Sequence, residues 1–382
     1  MKTSKMINYP FLFLLISISG KGLPQSTIPT PDHIVVLILE NHDYAQIIGS
    51  LAAPFINALA NDTSTALFIQ SYAIVHPSQP NYLILYSGNT QNVTDDLIPA
   101  DIPFSTENLG RQLIDSGKTF ITYSEDLPEA GYNGASSGDY VRKHNPAANW
   151  MGTGINQVPD TVSQPFTAFP SGNFALLPAV SFVIPNQVND MHNGTDPSRI
   201  TIADDWIFNN LASYIQWAKT NNSLFILTFD EAQAISDNHI VTTFTGQMVK
   251  AGQYSGKINH YSILHTIEEM CGLPYIGDSL NYLPIEGCWK RSNALSFSAD
   301  NELNNIILYP NPCKRELFVE LSDYLNTTLE IYTLSGKMIR SCYLQAEKTN
   351  IKIDDLQNGL YIIKLQNKGK ISIGKFVKNE SW

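Results

Sequence analysis

Two pairs of oxygen-bearing residues directly follow short apolar runs. Glu40-Asn41 ends one such run and Asp230-Glu231 ends another. The runs are continuous and rich in branched residues, which is typical of strands buried on both faces of a parallel sheet. Ligands bind at the carboxyl ends of such strands. An acid there can cap a helix, face water in a loop or hold a metal ion. Two adjacent carboxylates in a buried position repel each other unless they share a cation.

A serine between two prolines is a further candidate for chemistry. Ser78 lies between Pro77 and Pro80, just before a helix that the pattern predicts to begin at Pro80 or Asn81. The prolines restrict the backbone on both sides. A hydroxyl group held near a helix N-terminus lies beside N–H groups that stabilise anions such as phosphate. The alternative is that Ser78 only caps this helix.

Most of the eight histidines stand near a predicted strand or helix end. They are His42, His76, His192, His239, His260 and His265. Any one of them is more often a surface or core residue than a ligand. As a set, they predict one site at one edge of the sheet.

The elements that must position these residues alternate along the chain. The predicted strands are 34–39, 66–75, 118–124, 176–184, 224–229 and 240–249. The predicted helices are 52–60, 81–87, 106–116 (capped by Thr106), 202–219 and 258–270. This alternation predicts an α/β fold with a mostly parallel sheet and helices on both faces. The segment 125–173 is rich in Gly, Pro, Asn and Ser, and a connection of that length is usually a lid or a binding loop.

The length and composition of the chain indicate two globular domains and argue against nucleic acid as a partner. The chain has 382 residues, 43% hydrophobic and 15% charged, with a net charge of −11. The chain is longer than a single domain with one hydrophobic core usually is. Nucleic-acid binding needs clustered Lys and Arg, and the sequence has no such run. Short strand patterns separated by turns replace the helices after Ser296 and predict a small all-β sandwich at 303–382. The first predicted domain is 30–296.

The first residues have the pattern of a secretory signal peptide, predicted at 1–22. Lys2 and Lys5 precede the apolar segment 11–18, and small residues follow up to Gly20. This segment is shorter than the roughly 20 residues that span a bilayer. The sequence therefore predicts a translocated protein without stable membrane insertion.

Four cysteines remain after the signal. In an oxidising compartment, Cys271 with Cys288 and Cys313 with Cys342 would each close a short loop within one domain. Four cysteines allow three pairings, and the sequence does not choose among them. The absence of a C-x-x-C motif argues against a cysteine zinc site.

Five motifs follow one another along the chain. They are Glu40-Asn41-His42, His76-Pro-Ser78-x-Pro-Asn81-Tyr82, Pro185-Asn186 with His192, Phe229-Asp230-Glu231, and the stretch from Ile258 to Glu268. In this order they resemble the motifs of the phosphoesterase family of the alkaline-phosphatase-like superfamily, which includes secreted acid phosphatases and bacterial phospholipases C. The resemblance covers residues from about 33 to 273.

The resemblance implies roles for individual residues. Ser78 would be the nucleophile, and Asn81 and His76 would help to hold the substrate. A divalent metal ion would be bound by Glu40, Asn41, Ser78, Asp230 and Glu231. The phosphate would be surrounded, or proton transfer assisted, by His192, His239 and His260. Oxygen ligands favour Mg²⁺, Ca²⁺ or Mn²⁺, and the nearby histidines leave zinc open.

The C-terminal sandwich resembles the sorting domain of type IX secretion in Gram-negative bacteria. The motifs are Leu308-Tyr-Pro-Asn-Pro312, the stretch 329–337, Asn358-Gly-Leu-Tyr361 and Lys375-Phe-Val-Lys378. The resemblance implies export by a secretion machinery and a secreted or cell-surface location. The alternative is a sugar-binding or adhesive sandwich.

The expected function is a secreted, metal-dependent phosphoesterase that hydrolyses phosphate monoesters through a phosphoserine. The alternatives are a phospholipase C or other phosphodiesterase, and a non-catalytic surface binding protein. Gly134-Ala-Ser136-Ser-Gly138 matches the G-x-S-x-G pattern of esterases, which needs a strand before it and a helix after it. Because a Gly/Asn loop and a polar segment flank Ser136, we interpret this match as chance or as part of a lid.

Overall fold

The computed structural model describes residues 28–233, 237–290, 306–322, 324–333, 337–367 and 370–379. The chain divides into two compact units, one up to Ser292 and one from Asn293, and each is described by itself. The predicted signal peptide, 1–22, lies outside the described residues. The predicted boundaries of the two domains, 30–296 and 303–382, also stay predictions.

The first unit alternates strands and helices, as the pattern predicts. Its helices are α1 Tyr44–Ile47, α2 Pro54–Ala60, α3 Ser78–Ser87, α4 Leu109–Asp115, α5 Ser198–Ala218 and α6 His260–Cys271. Its strands are β1 His33–Leu39, β2 Thr65–Tyr72, β3 Phe120–Ser124, β4 Ser136–Ser137, β5 Tyr140–Val141, β6 Ser163–Pro165, β7 Val180–Ile184, β8 Ser223–Phe229, β9 His239–Thr245, β10 Gly252–Tyr254 and β11 Ile258–Asn259.

A nine-stranded sheet carries the first unit. Its order is β10-β2-β9-β8-β1-β7-β3-β6, with β11 beside β2. Among the described strands of this sheet, β9 alone pairs antiparallel with its neighbours, β2 and β8. Alternate residues of β1 face different cores: Val36 packs with residues of α3 and α6, and Val35 packs with residues of α2 and α5. The predicted mostly parallel sheet with helices on both faces is confirmed.

All five predicted helices begin a few residues from the predicted start, and for two of them the local sequence explains the difference. α3 starts at Ser78, because a proline in the first turn removes an N–H that has no intrahelical partner anyway, so Pro80 does not delay the start. α4 starts at Leu109, and its cap is Asn108, whose Oδ1 accepts a hydrogen bond from the N–H of Arg111 at 2.8 Å. The predicted cap, Thr106, was wrong, because asparagine at position 108 supplies the capping oxygen.

All four cysteines are free thiols, so neither of the two pairings considered above forms in this structure. Cys271 and Cys288 pack within an apolar core of the first unit, and Cys313 packs within the core of the second. Cys342 lies against that second core. They therefore behave as small apolar side chains.

The second unit contains two antiparallel sheets. Its strands are β12 Ile307–Tyr309, β13 Glu316–Glu320, β14 Thr328–Thr333, β15 Met338–Tyr343, β16 Lys348–Lys352, β17 Gly359–Asn367 and β18 Lys370–Lys378. One sheet has the order β12-β13-β16 and the other β15-β14-β17-β18. Side chains such as Leu317 and Ile363 form the core. The predicted all-β sandwich is confirmed. In neither unit does the described part of the chain contain a helix with the length and apolar composition of a membrane span.

A buried carboxyl group ties the end of α6 to the segment that follows it. Glu268 Oε1 accepts a hydrogen bond from the N–H of Ile276, and its Oε2 accepts one from the hydroxyl of Ser279, each at 3.0 Å. Burial raises the pKa of Glu268 from 4.5 to about 8, although both hydrogen bonds oppose the shift. At neutral pH the folded protein therefore holds a proton that the unfolded chain releases.

We expect Glu268→Gln to gain stability relative to the wild type as the pH rises from about 4.5 to about 8. Over this window the unfolded carboxyl group ionises while the folded one stays protonated. The wild-type free energy of unfolding therefore falls, on the order of 5 kcal/mol from this group, and the group contributes no further fall above pH 8. Denaturant unfolding at pH 5 and pH 8.5 measures the difference. Glu286→Gln, at an exposed position, is the control. A difference between Glu268→Gln and wild type that does not vary with pH would contradict the prediction.

Candidate active site

Strand pairing brings the two acidic motifs together at one edge of the sheet. β1 and β8 run parallel and pair up to Leu39 and Phe229. The next N–H group, that of Asp230, donates a hydrogen bond to the carbonyl of Leu39 at 2.9 Å. Glu40 and Asp230 therefore lie side by side just after their strands. The two motifs are far apart in sequence, since Asn41 and Asp230 are 189 positions apart.

The hydroxyl group of Ser78, the first residue of α3, reaches these acids. Its Oγ lies 2.9 Å from Glu40 Oε2 and 3.1 Å from Glu231 Oε1, and its one hydrogen can be donated to either oxygen. Asn41 donates from Nδ2 to Glu231 Oε1 at 3.0 Å and from its backbone N–H to Asp230 Oδ1 at 3.3 Å. The structure thus brings the five residues predicted to bind metal into one cluster.

The cluster concentrates negative charge in a buried place. Glu40 and Asp230 are fully buried, and Glu231 is nearly so. Burial raises the pKa of Glu40 to about 7, and burial together with the neighbouring carboxylates raises the pKa of Asp230 well above its usual range. The pKa of Glu231 is also raised, chiefly by burial. Unpaired buried carboxylates are costly, so this arrangement favours a bound cation.

His76 connects the cluster to the protein surface. Its Nδ1 lies 2.5 Å from Glu231 Oε2, and its side chain is 30% exposed. The hydrogen bond and the charge of His76 act to lower the pKa of Glu231, against the effect of burial. The predicted substrate residue His76 therefore contacts the cluster directly.

Three residues join the site that the sequence analysis did not assign to it. The imidazole of His144 lies between two carboxylates, with Nε2 3.2 Å from Glu40 Oε1 and Nδ1 3.3 Å from Asp190 Oδ2. It stacks on the ring of Tyr82 at a centroid distance of 5.0 Å. The hydroxyl of Tyr82 donates to Glu40 Oε1 at 2.6 Å. Burial lowers the pKa of His144 well below its usual range, so the ring is neutral at pH 7.

A signal for Tyr82 was present in the sequence. It stands four residues after Ser78, and helical residues at that spacing share a face. His144 had a weaker signal: it closes the basic triplet Arg142-Lys143-His144 in the loop 125–173, whose other charged residues are all acidic. Asp190 follows Asn189 after β7, so its position at a strand end was visible, but many acids stand at such positions.

Two of the predicted catalytic histidines border the cluster. His260 is buried, and its Nε2 lies 2.6 Å from the carbonyl oxygen of Asp230. It therefore contacts the backbone that carries an acid rather than the acid itself. His192 is half-buried, and its backbone N–H donates a hydrogen bond to Asp190 Oδ1 at 2.7 Å. Its ring centroid lies 6.1 Å from that of His144. The catalytic roles of both histidines stay predictions.

The structure places His239 and Asn81 differently from the sequence prediction. The ring of His239 stacks with Tyr44 and Tyr72, and its Nε2 lies 3.1 Å from the carbonyl oxygen of Ile69. Within the described ranges, the His239 side chain makes no hydrogen bond or ion pair with the cluster. Asn81 Oδ1 accepts from two backbone N–H groups, those of residues 74 and 75, and its Nδ2 donates to the carbonyl of residue 75. Asn81 thus fixes the segment leading to Ser78.

Comparisons with known proteins agree with this geometry. Residues 52–274 match the Phosphoesterase family, and residues 307–379 match the family described as the secretion system C-terminal sorting domain. The chain belongs to the Phosphoesterase family. As a phosphoesterase, it is a hydrolase that acts on phosphoric ester bonds. Its C-terminal sorting domain directs type IX secretion to the cell surface or the extracellular space, as predicted.

Named relatives of this phosphoesterase are phosphatases. A phosphatidylinositol-3-phosphatase of Mycobacterium tuberculosis is 44% identical over 269 residues, which are 70% of this chain and 86% of the relative. A phosphate-repressible acid phosphatase of Penicillium chrysogenum is 30% identical over 64% of this chain and 60% of its own length. Among solved structures, a protein of the alkaline phosphatase superfamily from Vibrio parahaemolyticus has a TM-score of 0.46 and 12% identity, covering 86% of this chain and 84% of its own.

Two buried oxygen atoms of the phosphoesterase show that its acidic cluster suits a cation. Asn41 Oδ1 and Asp230 Oδ2 are buried and accept no hydrogen bond. Carboxylate and amide oxygens are the ligands that hard divalent cations prefer. A second group, Glu40, His144 and Asp190, also offers ligand atoms within 4.8 Å of one another. Glu40 belongs to both groups, so one buried carboxylate links the two places where a cation fits.

We expect Tyr82→Phe to lower kcat of the phosphoesterase by about tenfold or more, because it removes the hydroxyl group that orients Glu40. Tyr86→Phe is the matched control. Tyr86 is equally buried on α3, one turn later, and its side chain makes no contact with the acidic cluster among the described residues. Steady-state kinetics of both variants, with unfolding temperatures, make the measurement. Equal kcat values for the two variants would show that the Tyr82 hydroxyl has no role beyond packing.

Proposed function

We propose that this phosphoesterase hydrolyses phosphate monoesters through a covalent phosphoserine at Ser78 and depends on a divalent metal ion. The observation that supports this most directly is the position of the Ser78 hydroxyl, within hydrogen-bonding distance of two buried carboxylates, Glu40 and Glu231. A serine hydroxyl is a weak nucleophile unless a neighbouring base or a metal ion activates it. The names of the relatives, acid phosphatase and phosphatidylinositol-3-phosphatase, favour a monoester as the substrate.

The reaction has two displacements. Ser78 Oγ bonds to phosphorus, and the bond from phosphorus to the alcohol oxygen breaks. The alcohol oxygen takes up a proton and the alcohol leaves. A water oxygen then bonds to phosphorus, the bond to Ser78 Oγ breaks, inorganic phosphate leaves, and the serine oxygen recovers a proton.

A path of short contacts can carry the serine proton. It passes from Ser78 Oγ to Glu231 Oε1, at 3.1 Å, and the other oxygen of Glu231 lies 2.5 Å from Nδ1 of His76. Because His76 is 30% exposed, it can exchange the proton with solvent. This gives His76 a role in proton transfer as well as at the substrate side of the site.

The acidic cluster would hold the metal ion. The ligands would be Glu40, Asn41, Ser78, Asp230 and Glu231, and the ion would stabilise negative charge on the phosphate and on the serine oxygen. The chain itself fixes these ligands: β1 and β8 set Glu40 and Asp230, Asn41 donates to Glu231, and Tyr82 orients Glu40. Mg²⁺, Ca²⁺, Mn²⁺ and Zn²⁺ all remain candidates.

A phospholipase C or another phosphodiesterase is the alternative within the same chemistry. Assays with phosphatidylcholine and bis-p-nitrophenyl phosphate, beside p-nitrophenyl phosphate and phosphatidylinositol 3-phosphate, separate these substrate classes. Preferred hydrolysis of the diesters would contradict the monoesterase proposal. The non-catalytic alternative is set aside by membership of the Phosphoesterase family.

We expect Ser78→Ala to lower the rate of p-nitrophenyl phosphate hydrolysis about a thousandfold or more, because the nucleophile is lost. Ser136→Ala is the control: Ser136 is an exposed residue of the β4–β5 hairpin, although it stands in a G-x-S-x-G pattern. Acid-quenched wild-type enzyme should carry one phosphoryl group on the peptide that contains Ser78. A Ser78→Ala enzyme with the wild-type rate would refute the proposed nucleophile.

Removal of the metal by a chelator is expected to abolish activity and to lower Tm by about 5 °C or more, because the buried carboxylates then lack a counterion. One of the four cations, added back, should restore both. Asp230→Asn is the diagnostic variant. It removes one negative charge, so its metal-free form should be more stable than metal-free wild type, yet its Tm should respond little to added metal. Full activity in protein whose measured metal content is nil would contradict the proposal.

A further inference from the structure

A lysine beside the acidic cluster has no part in the chemistry described so far. Lys143 immediately precedes His144, and its Nζ lies 2.8 Å from Asp96 Oδ2, with the side chain 15% exposed. Burial acts to lower the pKa of Lys143, but the hydrogen bond to Asp96 and the charges of Glu40 and Asp230 raise it overall. A charged ammonium group thus lies within the field of the residues that surround Ser78.

The partner of Lys143 is anchored to the start of the nucleophile's helix. Asp96 Oδ1 accepts a hydrogen bond from the N–H of Gln79, the residue after Ser78, at 3.0 Å. The side chain of Gln79 in turn donates to the carbonyls of Asp95 and Leu97, at 3.0 and 2.7 Å. The segment 95–97 is therefore fixed against the first turn of α3, and the position of Lys143 relative to Ser78 is set in advance.

A recess opens on the same residues. It has a volume of about 230 Å³, and its polar side is lined by Gln79, Asp96, Arg142 and Lys143. Its apolar side is formed by Leu97, Ile98, Ala135 and Val141. Leu97 is 70% exposed and Ile98 is 47% exposed, so both leave apolar surface in water next to a cation. Pockets for drug-sized ligands are about 300 Å³ or larger, so this recess suits a single ring or a short alkyl chain.

We infer that Lys143 binds the phosphate of the substrate and that the recess walled by Leu97 and Ile98 receives its apolar alcohol group. The favoured substrates are then phosphate monoesters of small phenols or alkyl alcohols rather than of sugars or polyols. This inference rests on the proposed function, because it takes Ser78 as the group that attacks phosphorus.

Charge and surface both fit this substrate class. A monoester phosphate is dianionic, and an ammonium group is a compact positive charge able to hold it. The ammonium group of Lys143 has three N–H donors, so it can donate to the phosphate while it keeps its hydrogen bond to Asp96. An apolar leaving group would cover Leu97 and Ile98 and remove their surface from water, whereas a polyol would have to give up its own hydration there.

The test of the recess compares phenyl phosphate with glycerol 2-phosphate as substrates of the full chain. The double variant Leu97→Ser/Ile98→Ser should lower kcat/KM for phenyl phosphate about tenfold and leave the value for glycerol 2-phosphate within about twofold. Leu280→Ser/Leu283→Ser is the matched control, because these leucines are 62% and 84% exposed on another loop. It should change neither value. An unchanged ratio of the two substrates in Leu97→Ser/Ile98→Ser would overturn the assignment of the recess.

The test of Lys143 uses inorganic phosphate as a ligand, measured by calorimetry and as a competitive inhibitor. Lys143→Met should weaken phosphate binding about tenfold or more and raise KM for both substrates alike, and Lys143→Arg should recover part of the loss. Unchanged phosphate affinity in a folded Lys143→Met protein would overturn the role of Lys143. These results are separable from the proposed function: inactive Ser78→Ala with an unchanged substrate ratio refutes only this inference, and active Ser78→Ala refutes both.

Discussion

The parallel register of β1 with β8 is the constraint on which the site depends. Because Leu39 lies opposite Phe229, the residues that follow, Glu40 and Asp230, must emerge next to each other. A slip of one residue would turn either acid toward the opposite face of the sheet. The apolar side chains of β1, buried in two separate cores, make such a slip costly. The site is thus fixed by burial far from the reacting atoms.

That placement has an electrostatic consequence. Three carboxylates are held where water cannot solvate them, and the neighbouring basic groups are few: Lys143 acts on Glu40, and His76 acts on Glu231. The stability of strand pairing therefore holds the three carboxylates close together against their mutual repulsion. Functional sites often combine such unfavourable local electrostatics with a rigid scaffold. A cation bound there, as proposed above, would offset the repulsion among these carboxylates.

Sequence reasoning located the residues that follow regular elements. Glu40, Asp230 and Ser78 could be found because strand ends and proline-bounded helix starts have local patterns. His144 had only its place in a basic triplet to mark it, because it lies in a loop without periodicity, and only the folded chain shows that the loop returns to Glu40. His239 is the opposite case. Its position at a strand end suggested the site, but local pattern does not reveal that its ring packs between two tyrosines.

The long connection that carries Lys143 and His144 acts as a wall of the site rather than as a mobile lid. The guanidinium group of Arg142, the preceding residue, is buried and donates to Asn133 Oδ1, Asn149 Oδ1 and the carbonyl of Ala148, at 2.7 to 2.8 Å. A charged group with three such bonds in a buried place resists displacement, because each lost bond would leave a polar group unsatisfied. The two side chains that follow Arg142 are thereby held in position before any substrate arrives. Preorganised charge of this kind stabilises a phosphoryl group without reorganisation during the reaction. The irregular segment, which had the least predictable structure in the sequence, thus supplies contacts to the site beside those supplied by the sheet.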